Sequence, residues 1–315
     1  MRTRILLLLS CLSSLVGCAA NSPRPAPHVW TAPITSPTFT ITDTRTGSEI
    51  TLTQLVDAAS STDAFLIGEL HGQPDGQAFQ ASFFRALLER APTSLAALEF
   101  FERDEQVHLD DFVSGITDEP AFTKATGRTP GNYTPGHRDI ILASAAAKRP
   151  VIAANAPRRY VRVARADGYD RLAALSPEQS RQFTIPDPMP AGAYEQRFID
   201  LMAPVDEKGE RPREEEARKM FRSQAMWDAT MADSVAQALA ARKGRPIVLV
   251  IGVFHVAHNG GTLQLLREHA PSASVLTIAM QAKEGQTEIS GADGPIADYV
   301  VTIPNEESPD FTASR

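Results

Sequence analysis

Cysteine is nearly absent from this chain of 315 residues. Its two cysteines, Cys11 and Cys18, both lie at the extreme N-terminus. The rest of the chain therefore has no disulfide, no thiolate metal ligand and no cysteine nucleophile. Four-cysteine zinc sites and iron–sulfur clusters are excluded, and any metal must be held by histidine, carboxylate, tyrosine or methionine side chains.

The chain also lacks an excess of positive charge. It has 31 lysine and arginine residues against 38 acidic residues, a formal net charge of −7, and no run of basic residues. Proteins that bind nucleic acid use clustered lysine and arginine side chains to neutralise phosphates. We therefore exclude nucleic acid as a partner.

The one apolar segment at the N-terminus is too short to span a bilayer as a stable helix. Arg2 and Arg4 precede it, and it ends in Leu15-Val16-Gly17-Cys18. This pattern predicts a signal peptide over residues 1–17 and resembles the lipobox of bacterial lipoproteins. The resemblance implies cleavage before Cys18 and attachment of lipid, palmitate included, to that residue. The alternative is an ordinary secretory signal that is cut nearby.

The residues after the predicted cleavage point predict where the protein is anchored. The residue after Cys18 is Ala19 and not an aspartate. In a Gram-negative bacterium this implies a lipid anchor in the outer membrane, with the protein facing the periplasm. Several acyl chains anchor a protein stably where one is marginal. Residues 18–37 are rich in proline and small polar residues, which predicts a flexible tether, and the mature chain has a net charge near −9.

A strand–helix alternation begins after residue 38. A hairpin over 38–48 and a short helix capped by Thr53 come first. Strands are predicted at 64–68, 95–100, 151–155, 247–252, 274–279 and 298–303, and helices at 75–90, 138–148, 214–242 and 261–269. This alternation predicts an α/β fold with a parallel β-sheet flanked by helices.

Two stretches interrupt the alternation. Residues 101–137 and 156–245 are mostly helical, and each follows the carboxyl end of a strand. We expect them to form an inserted, mostly helical cap subdomain over the ligand-binding edge of the sheet. Residues 38–315 would then be one α/β domain with two helical insertions.

Two strands end in the same Gly-x-x-His pattern. They give Gly68-Glu69-Leu70-His71 and Gly252-Val253-Phe254-His255, and Glu99 closes a third strand. Ligands of open α/β sheets lie just beyond the carboxyl ends of the strands. Each carboxylate alone could be structural, for instance a helix cap. Two carboxylates and two imidazoles at one edge together predict a metal or cofactor site, because buried carboxylates require partners.

The third predicted strand runs into Asn155-Ala156-Pro157-Arg158-Arg159-Tyr160. Pro157 suits the first turn of a helix and Asn155 its cap. Tyr160 would then lie over the sheet edge, where a phenolate can hold ferric iron, including haem iron. Arg158 and Arg159 could pair with haem propionates. The alternative is that Tyr160 only packs.

Helix 214–242 has an apolar stripe that includes Trp227 and Met231. Gln224 falls within the stripe, and Asp228 lies beside it. Polar groups on a buried face need partners, so this helix either lines a flat apolar ligand or is a core helix with a hydrogen-bonded pair. His258 follows His255 by three residues. His108 and His137 belong to the first insertion, and their sequence context gives little evidence of a functional role.

Five short motifs occur in an order that resembles one known family. They are Gly68-Glu69-Leu70-His71-Gly72, Leu98-Glu99-Phe100-Phe101, Ala154-Asn155-Ala156-Pro157-Arg158, Gln224-Ala225-Met226-Trp227-Asp228-Ala229-Thr230-Met231-Ala232 and Gly252-Val253-Phe254-His255. Together they resemble the ChaN-like haem-binding lipoprotein family, which is associated with bacterial iron uptake.

The resemblance implies a non-covalently bound b-type haem with tyrosine ligation. It also implies a homodimer that holds a cofacial haem pair, and an outer-membrane haem receptor as partner. Carried onto this chain, Tyr160 is the first candidate for the iron ligand, with Tyr133, Tyr169 and Tyr194 as rivals. The implied haem-contacting set is Tyr160, His255, His258, His71, Glu69, Arg158, Gln224, Trp227 and Met231.

The Gly-Glu-x-His pattern also resembles a wider group of metal-dependent peptidases and erythromycin-esterase-like hydrolases. That likeness implies an alternative in which Glu69, His71, Glu99 and His255 are catalytic. Zinc or manganese at such a site lowers the pKa of bound water and supplies a nucleophile. A third hypothesis is that the protein is a non-catalytic interaction module of the cell envelope. That hypothesis leaves the clustered acids and histidines unexplained.

Overall fold

The structure is a computed structural model that describes residues 39–205, 209–210, 212–283, 290–291 and 294–303. The predicted signal peptide, tether and lipidation site at Cys18 lie outside the described residues. None of the helices described is both long enough and apolar enough to cross a membrane.

The predicted α/β class is confirmed by an eight-stranded sheet. The strands are β1 (Thr40–Asp43), β2 (Ser48–Ile50), β3 (Ala64–Glu69), β4 (Leu95–Glu102), β5 (Val151–Asn155), β6 (Ile247–Gly252), β7 (Val275–Ala282) and β10 (Tyr299–Ile303), while β8 (Ser290–Gly291) and β9 (Gly294–Pro295) form a separate ladder. The order across the sheet is β2-β1-β10-β7-β3-β6-β4-β5. The six strands from β10 to β5 are parallel, and the β1–β2 hairpin adds antiparallel at one edge.

Helices connect and cover these strands. They are α1 (Leu52–Ser60), α2 (Pro74–Arg90), α3 (Gln106–Val113), α4 (Glu119–Ala125), α5 (Pro135–Ala146), α6 (Arg158–Asp167), α7 (Asp170–Ala173), α8 (Pro177–Ser180), α9 (Ala193–Met202), α10 (Glu214–Ala240) and α11 (Gly261–His269). Single 3₁₀ turns follow β4 and β6, at Arg103–Glu105 and Val253–His255.

Alternation along each strand divides the core between the two faces of the sheet. Phe65 and Ile67 of β3 pack in a cluster with α1, α2 and α5. Leu66, between them, packs in a second cluster with α10 and α11. The face toward which a strand-end residue points is therefore fixed by its position in the same alternation.

Helix boundaries differ from the sequence predictions at several points. Thr51, not Thr53, caps α1, and it forms a reciprocal capping box with Gln54. That pair starts the helix two residues earlier because it satisfies backbone N–H groups that would otherwise be unpaired. Helix α5 begins at Pro135 and not at 138, so the end of the first insertion is part of a sheet-flanking helix.

The second insertion contains two kinds of helix. The C-terminal half of α10 packs on the sheet, where Ala232 and Val235 belong to the same buried cluster as β3 and β6. Helices α6 and α9 also pack on α10, in clusters separate from the one that α10 shares with the sheet. Helix α10 therefore joins the sheet to the smaller helical layer.

Candidate functional site

Three strand ends meet at one edge of the sheet. Glu69 of β3 pairs in register with Gly252 of β6, and β4, which carries Glu99, lies on the other side of β6. Glu69 continues the alternation toward α2 and α5, whereas Glu99 continues that of Leu95 and Ala97 toward α10 and α11. The two predicted carboxylates thus lie at the same edge of the sheet but point to its opposite faces.

Glu69 is buried and makes three hydrogen bonds. Its Oε1 lies 2.9 Å from Nδ1 of His71, and its Oε2 accepts from Nε2 of Gln80 at 2.8 Å and lies 3.0 Å from Nε2 of His137. Burial alone would raise the pKa of this carboxyl, but His137 and His71 outweigh burial and lower it to about 2. Glu69 is therefore an anion within the core.

His137 is a site residue that sequence reasoning missed. It is buried on α5 and stacks on Phe100, with ring centroids 3.7 Å apart. Helix α5 reaches α2 because Gly136 lies against the backbone of Gln77, where a Cβ would clash. The sequence placed His137 in an insertion, and its only usable signal was a glycine next to a histidine on an apolar helix.

His71 is the exposed member of this group, with 52% of its side chain accessible to solvent. An ionised carboxylate only accepts hydrogen bonds, so Nδ1 of His71 donates its proton to Glu69. This hydrogen bond raises the pKa of His71 against the effect of burial. The Nε2 atom lies over Gly252, since a Cβ on that glycine would come within 2.9 Å of it.

A second carboxylate–imidazole pair lies on the other face. Nδ1 of His255 is 2.6 Å from Oδ1 of Asp228, and both groups are buried. Asp228 also accepts hydrogen bonds from the hydroxyls of Thr262 and Tyr194, each at 2.7 Å. Burial opposes protonation of His255, but Asp228 outweighs it and the pKa of the imidazole is raised.

Glu99 lies between the two imidazoles. Its Oε2 accepts the backbone N–H of Gly252 at 2.6 Å, and its Oε1 is 3.8 Å from Nε2 of His255. Glu99 also acts on His71, whose pKa it helps to raise. The structure thus brings together the four predicted residues Glu69, His71, Glu99 and His255, with a carboxylate behind each imidazole.

The polar residues of α10 have the partners that their buried positions require. Gln224 donates from Nε2 to the hydroxyl of Tyr194 at 3.0 Å and lies within 3.2 Å of Nδ1 of His255. Asp228 is bound as described above. In the part of the chain that the structure describes, however, no three histidine, cysteine or acidic side chains are arranged to hold a metal ion.

A separate group of predicted residues surrounds Tyr160 on α6. The half-buried Tyr160 ring packs against Phe183, with ring centroids 4.8 Å apart. Trp227 of α10 packs against the same apolar cluster. Arg158 is 78% exposed, and its Nε lies 3.9 Å from Glu102. Tyr160 and Trp227 therefore pack against the same apolar cluster.

Asn155 does not cap α6. Its Oδ1 accepts the N–H of Ala156, and its Nδ2 donates to the backbone carbonyl of Glu99 at 3.1 Å. Pro157, whose ring fixes φ near −60°, takes the cap position instead. The residue predicted to start a helix therefore joins β5 to β4 beside the site.

The other four tyrosines have environments that oppose ionisation. Burial raises the pKa of Tyr133, Tyr169, Tyr194 and Tyr299 above the ordinary value of 10.0. The hydroxyl of Tyr169 donates to a backbone carbonyl, and that of Tyr194 to Asp228. Of the three predicted rivals of Tyr160, Tyr194 is buried, and Tyr133 and Tyr169 are partly buried.

Two further predicted residues lie apart. Met231 is fully buried between α10 and the sheet, so contact with haem would require the core to repack. His258 follows the 3₁₀ turn that contains His255. It has a φ of 51°, and its backbone N–H donates to Ile296 while its carbonyl accepts from Arg197. The backbone of His258 thus ties α9 to the segment after β6.

Comparisons with known proteins agree with this architecture. Residues 55–266 match the family described as haem-binding uptake, Tiki superfamily, ChaN. ChaN of Campylobacter jejuni, solved in a study of cofacial haem binding, superposes with a TM-score of 0.63 at 18% identity, over 85% of this chain and 97% of that one. Curated protein sequences gave no match.

A second solved structure shows a weaker likeness. A mutant of erythromycin esterase EreC in its open conformation gives a TM-score of 0.44 at 12% identity, over 79% of this chain and 78% of that one. A likeness of this strength supports no argument about activity. The family match spans more than half of the chain, and the chain therefore belongs to the ChaN family of haem-binding uptake proteins.

Proposed function

We propose that this protein is a haem-binding lipoprotein of the outer membrane that faces the periplasm and acts in haem or iron uptake. Membership of the ChaN family supports the haem-binding and uptake part. The lipobox-like segment before Cys18 supports the anchor and the location. The cofacial haem pair of the Campylobacter jejuni protein suggests that two copies of this chain meet around haem.

The observation that carries the proposal is the environment of Tyr160. It is half-buried on an apolar cluster, and partly exposed apolar side chains surround that cluster: Val163, Tyr169, Leu175, Ile185 and Trp227. A flat apolar ligand fits such a surface, and a phenolate is a ligand that ferric haem iron accepts. The residues present therefore fit haem.

The basic end of α6 fits the polar edge of the same ligand. Arg158 is mostly exposed, and its nearest carboxylate, that of Glu102, is 3.9 Å away. Its guanidinium can thus turn to pair with a propionate. The chain after Cys18 has no cysteine for a covalent thioether linkage, so the haem would be of the non-covalent b-type. Bound haem supplies a redox-active iron, and the protein supplies the phenol, the apolar surface and the cations.

The test is a titration of ferric haem into protein that lacks residues 1–18. We expect a shifted Soret band with one haem per chain or fewer, and we expect Tyr160→Phe to abolish or shift that band. Tyr169→Phe is the matched control because it alters a tyrosine at the same cluster whose hydroxyl is already bound to a backbone carbonyl. A spectrum of free haem alone would refute the proposal.

A second candidate, a metal-dependent hydrolase, rests on the network around Glu99, although the described side chains are not arranged to hold a metal ion as they stand. Its specific observation is that two imidazoles, each backed by a buried carboxylate, flank Glu99. A carboxylate behind an imidazole fixes its tautomer and orientation, as in hydrolytic and metal sites. Zinc or manganese bound stoichiometrically, and lost in a His71→Ala/His255→Ala double variant, would support this candidate. Protein without metal and without esterase or peptidase activity would refute it.

A further inference from the structure

The residue next to the candidate iron ligand contacts it directly. The Cζ atom of Arg159 lies over the Tyr160 ring, 4.6 Å from its centroid. A guanidinium has donors on several sides of one plane. Arg159 can therefore contact the tyrosine while it binds a second group.

That second group is Asp104, which belongs to the turn after β4. Its Oδ2 accepts a hydrogen bond from Nη1 of Arg159. Asp104 thus links the start of α6 to the strand that carries Glu99, and it holds one edge of the Arg159 guanidinium in place. The chain Asp104–Arg159–Tyr160 is built from two separate segments that the fold brings together.

We propose that Arg159 is a positioning residue for haem, which holds the Tyr160 phenol oxygen toward the iron and donates a hydrogen bond to it, with Asp104 fixing its orientation. This inference rests on the proposed haem-binding function. It differs from the role that the sequence suggested for Arg159, a salt bridge to a propionate, because here the guanidinium acts on the iron ligand itself.

The physical reason lies in charge and solvent. A phenolate bound to ferric iron keeps negative charge on its oxygen, and a cationic donor stabilises that charge more than a neutral one. Arg159 is 53% exposed, so water screens it at present. A haem lying on Tyr160 would displace part of that water and strengthen the interaction. Loss of Arg159 should therefore weaken the complex more than it weakens the free protein.

The experiment compares four variants of the full chain, purified in detergent and loaded with ferric haem. They are Arg159→Gln, Arg159→Lys, Asp104→Asn and, as control, Arg165→Gln. Arg165 lies on the same helix, is similarly exposed and is likewise ion-paired, to Glu216. The readouts are the rate of haem transfer to apomyoglobin and the iron–phenolate stretching frequency in the resonance Raman spectrum.

We expect Arg159→Gln to lose haem about tenfold faster than wild type, the effect of one charge-assisted hydrogen bond, and to shift the stretching frequency. Arg159→Lys should recover part of both effects because it restores the charge without the planar donor set. Asp104→Asn should show a smaller change in the same direction, and Arg165→Gln should match wild type.

Two failures are distinguishable. If wild type and Arg165→Gln show the iron–phenolate band and Arg159→Gln shows it unshifted with an unchanged transfer rate, the inference is wrong and the proposed function stands. If wild type binds haem without a phenolate band, the inference is again wrong and the haem-binding proposal stands, whereas if wild type binds no haem, both are wrong. A thermal melt of each haem-free variant identifies any loss of folding, and the band position reports on ligation independently of it.

Discussion

The imidazole of His71 lies over the backbone of Gly252, with Nε2 only 2.9 Å from the point that a Cβ on this glycine would occupy. The two residues are 181 positions apart in the chain, but Glu69 pairs with Gly252 across the central strands β3 and β6. The same imaginary Cβ lies 3.7 Å from Oε2 of Glu99. Gly252 is therefore the point where the two Gly-x-x-His motifs touch.

Gly252→Ala should displace His71. The φ of Gly252 is −59°, which any residue adopts, so the effect comes from the contact and not from backbone strain. We expect a loss of about 1–3 kcal/mol in the free energy of unfolding, measured with urea, and a changed NMR shift of the His71 ring. Gly131→Ala is the control, since a Cβ there meets one atom at 3.8 Å. Equal effects of the two substitutions would contradict the contact.

Acid should destabilise the protein through Glu69. Its pKa in the folded protein is about 2, below its ordinary value of 4.5, so its stabilising contribution is present above pH 4.5 and is lost as the pH falls toward 2. The difference corresponds to about 3 kcal/mol. Urea unfolding across this range should show a steeper loss of stability in wild type than in Glu69→Gln. The exposed residue Glu89 provides the control, Glu89→Gln, which should keep the wild-type slope.

Alkali should remove the contribution of His255. Its pKa is raised above the ordinary 6.5 because Asp228 and Glu99 outweigh burial. The contribution is therefore fully present below pH 6.5 and is lost as the pH rises through the raised value. Asp228→Asn should be less stable at neutral pH and should lack this alkaline loss. In Asp57→Asn, which breaks an exposed pair with Arg90, the alkaline loss should persist. An unchanged alkaline slope in Asp228→Asn would refute the assignment.

Cys18→Ser should abolish lipid attachment. The predicted lipobox places the acyl chains on the sulfur of Cys18, and a hydroxyl does not replace it. We expect wild-type protein expressed in a Gram-negative host to incorporate labelled palmitate and to fractionate with the outer membrane, and the variant to do neither. Cys11→Ser changes the other cysteine, inside the predicted signal, and should leave labelling intact.

The sequence predicted the ends of the strands more accurately than the ends of the helices. Buried parallel strands are continuous apolar runs, and β3, β5 and β6 agree with prediction to within one residue. Helix starts depend on local hydrogen bonds, such as the Thr51–Gln54 capping box, which several nearby residues can form. The start of α1 was therefore misplaced by two residues.

The candidate site was predicted in part for a similar reason. Four of its residues lie at strand ends: Glu69, His71, Glu99 and His255. Because the carboxyl ends of parallel strands share an edge, the sequence predicted that these residues lie close together. His137 and Gln80 reach Glu69 from two helices, and Tyr194 reaches Asp228 from a third. Such contacts depend on how helices pack across the sheet, which periodicity alone does not specify.

The sequence by itself determined the α/β class, the edge that carries the polar residues and the absence of thiol chemistry after Cys18, because these follow from local apolar runs and composition. Only the tertiary structure decided which groups are charged and how they are divided. The strand alternation sends Glu69 and Glu99 to opposite faces, where His137 lowers the pKa of Glu69 and Asp228 raises that of His255. The separation of this network from the Tyr160 surface likewise depends on how α6 and α10 pack.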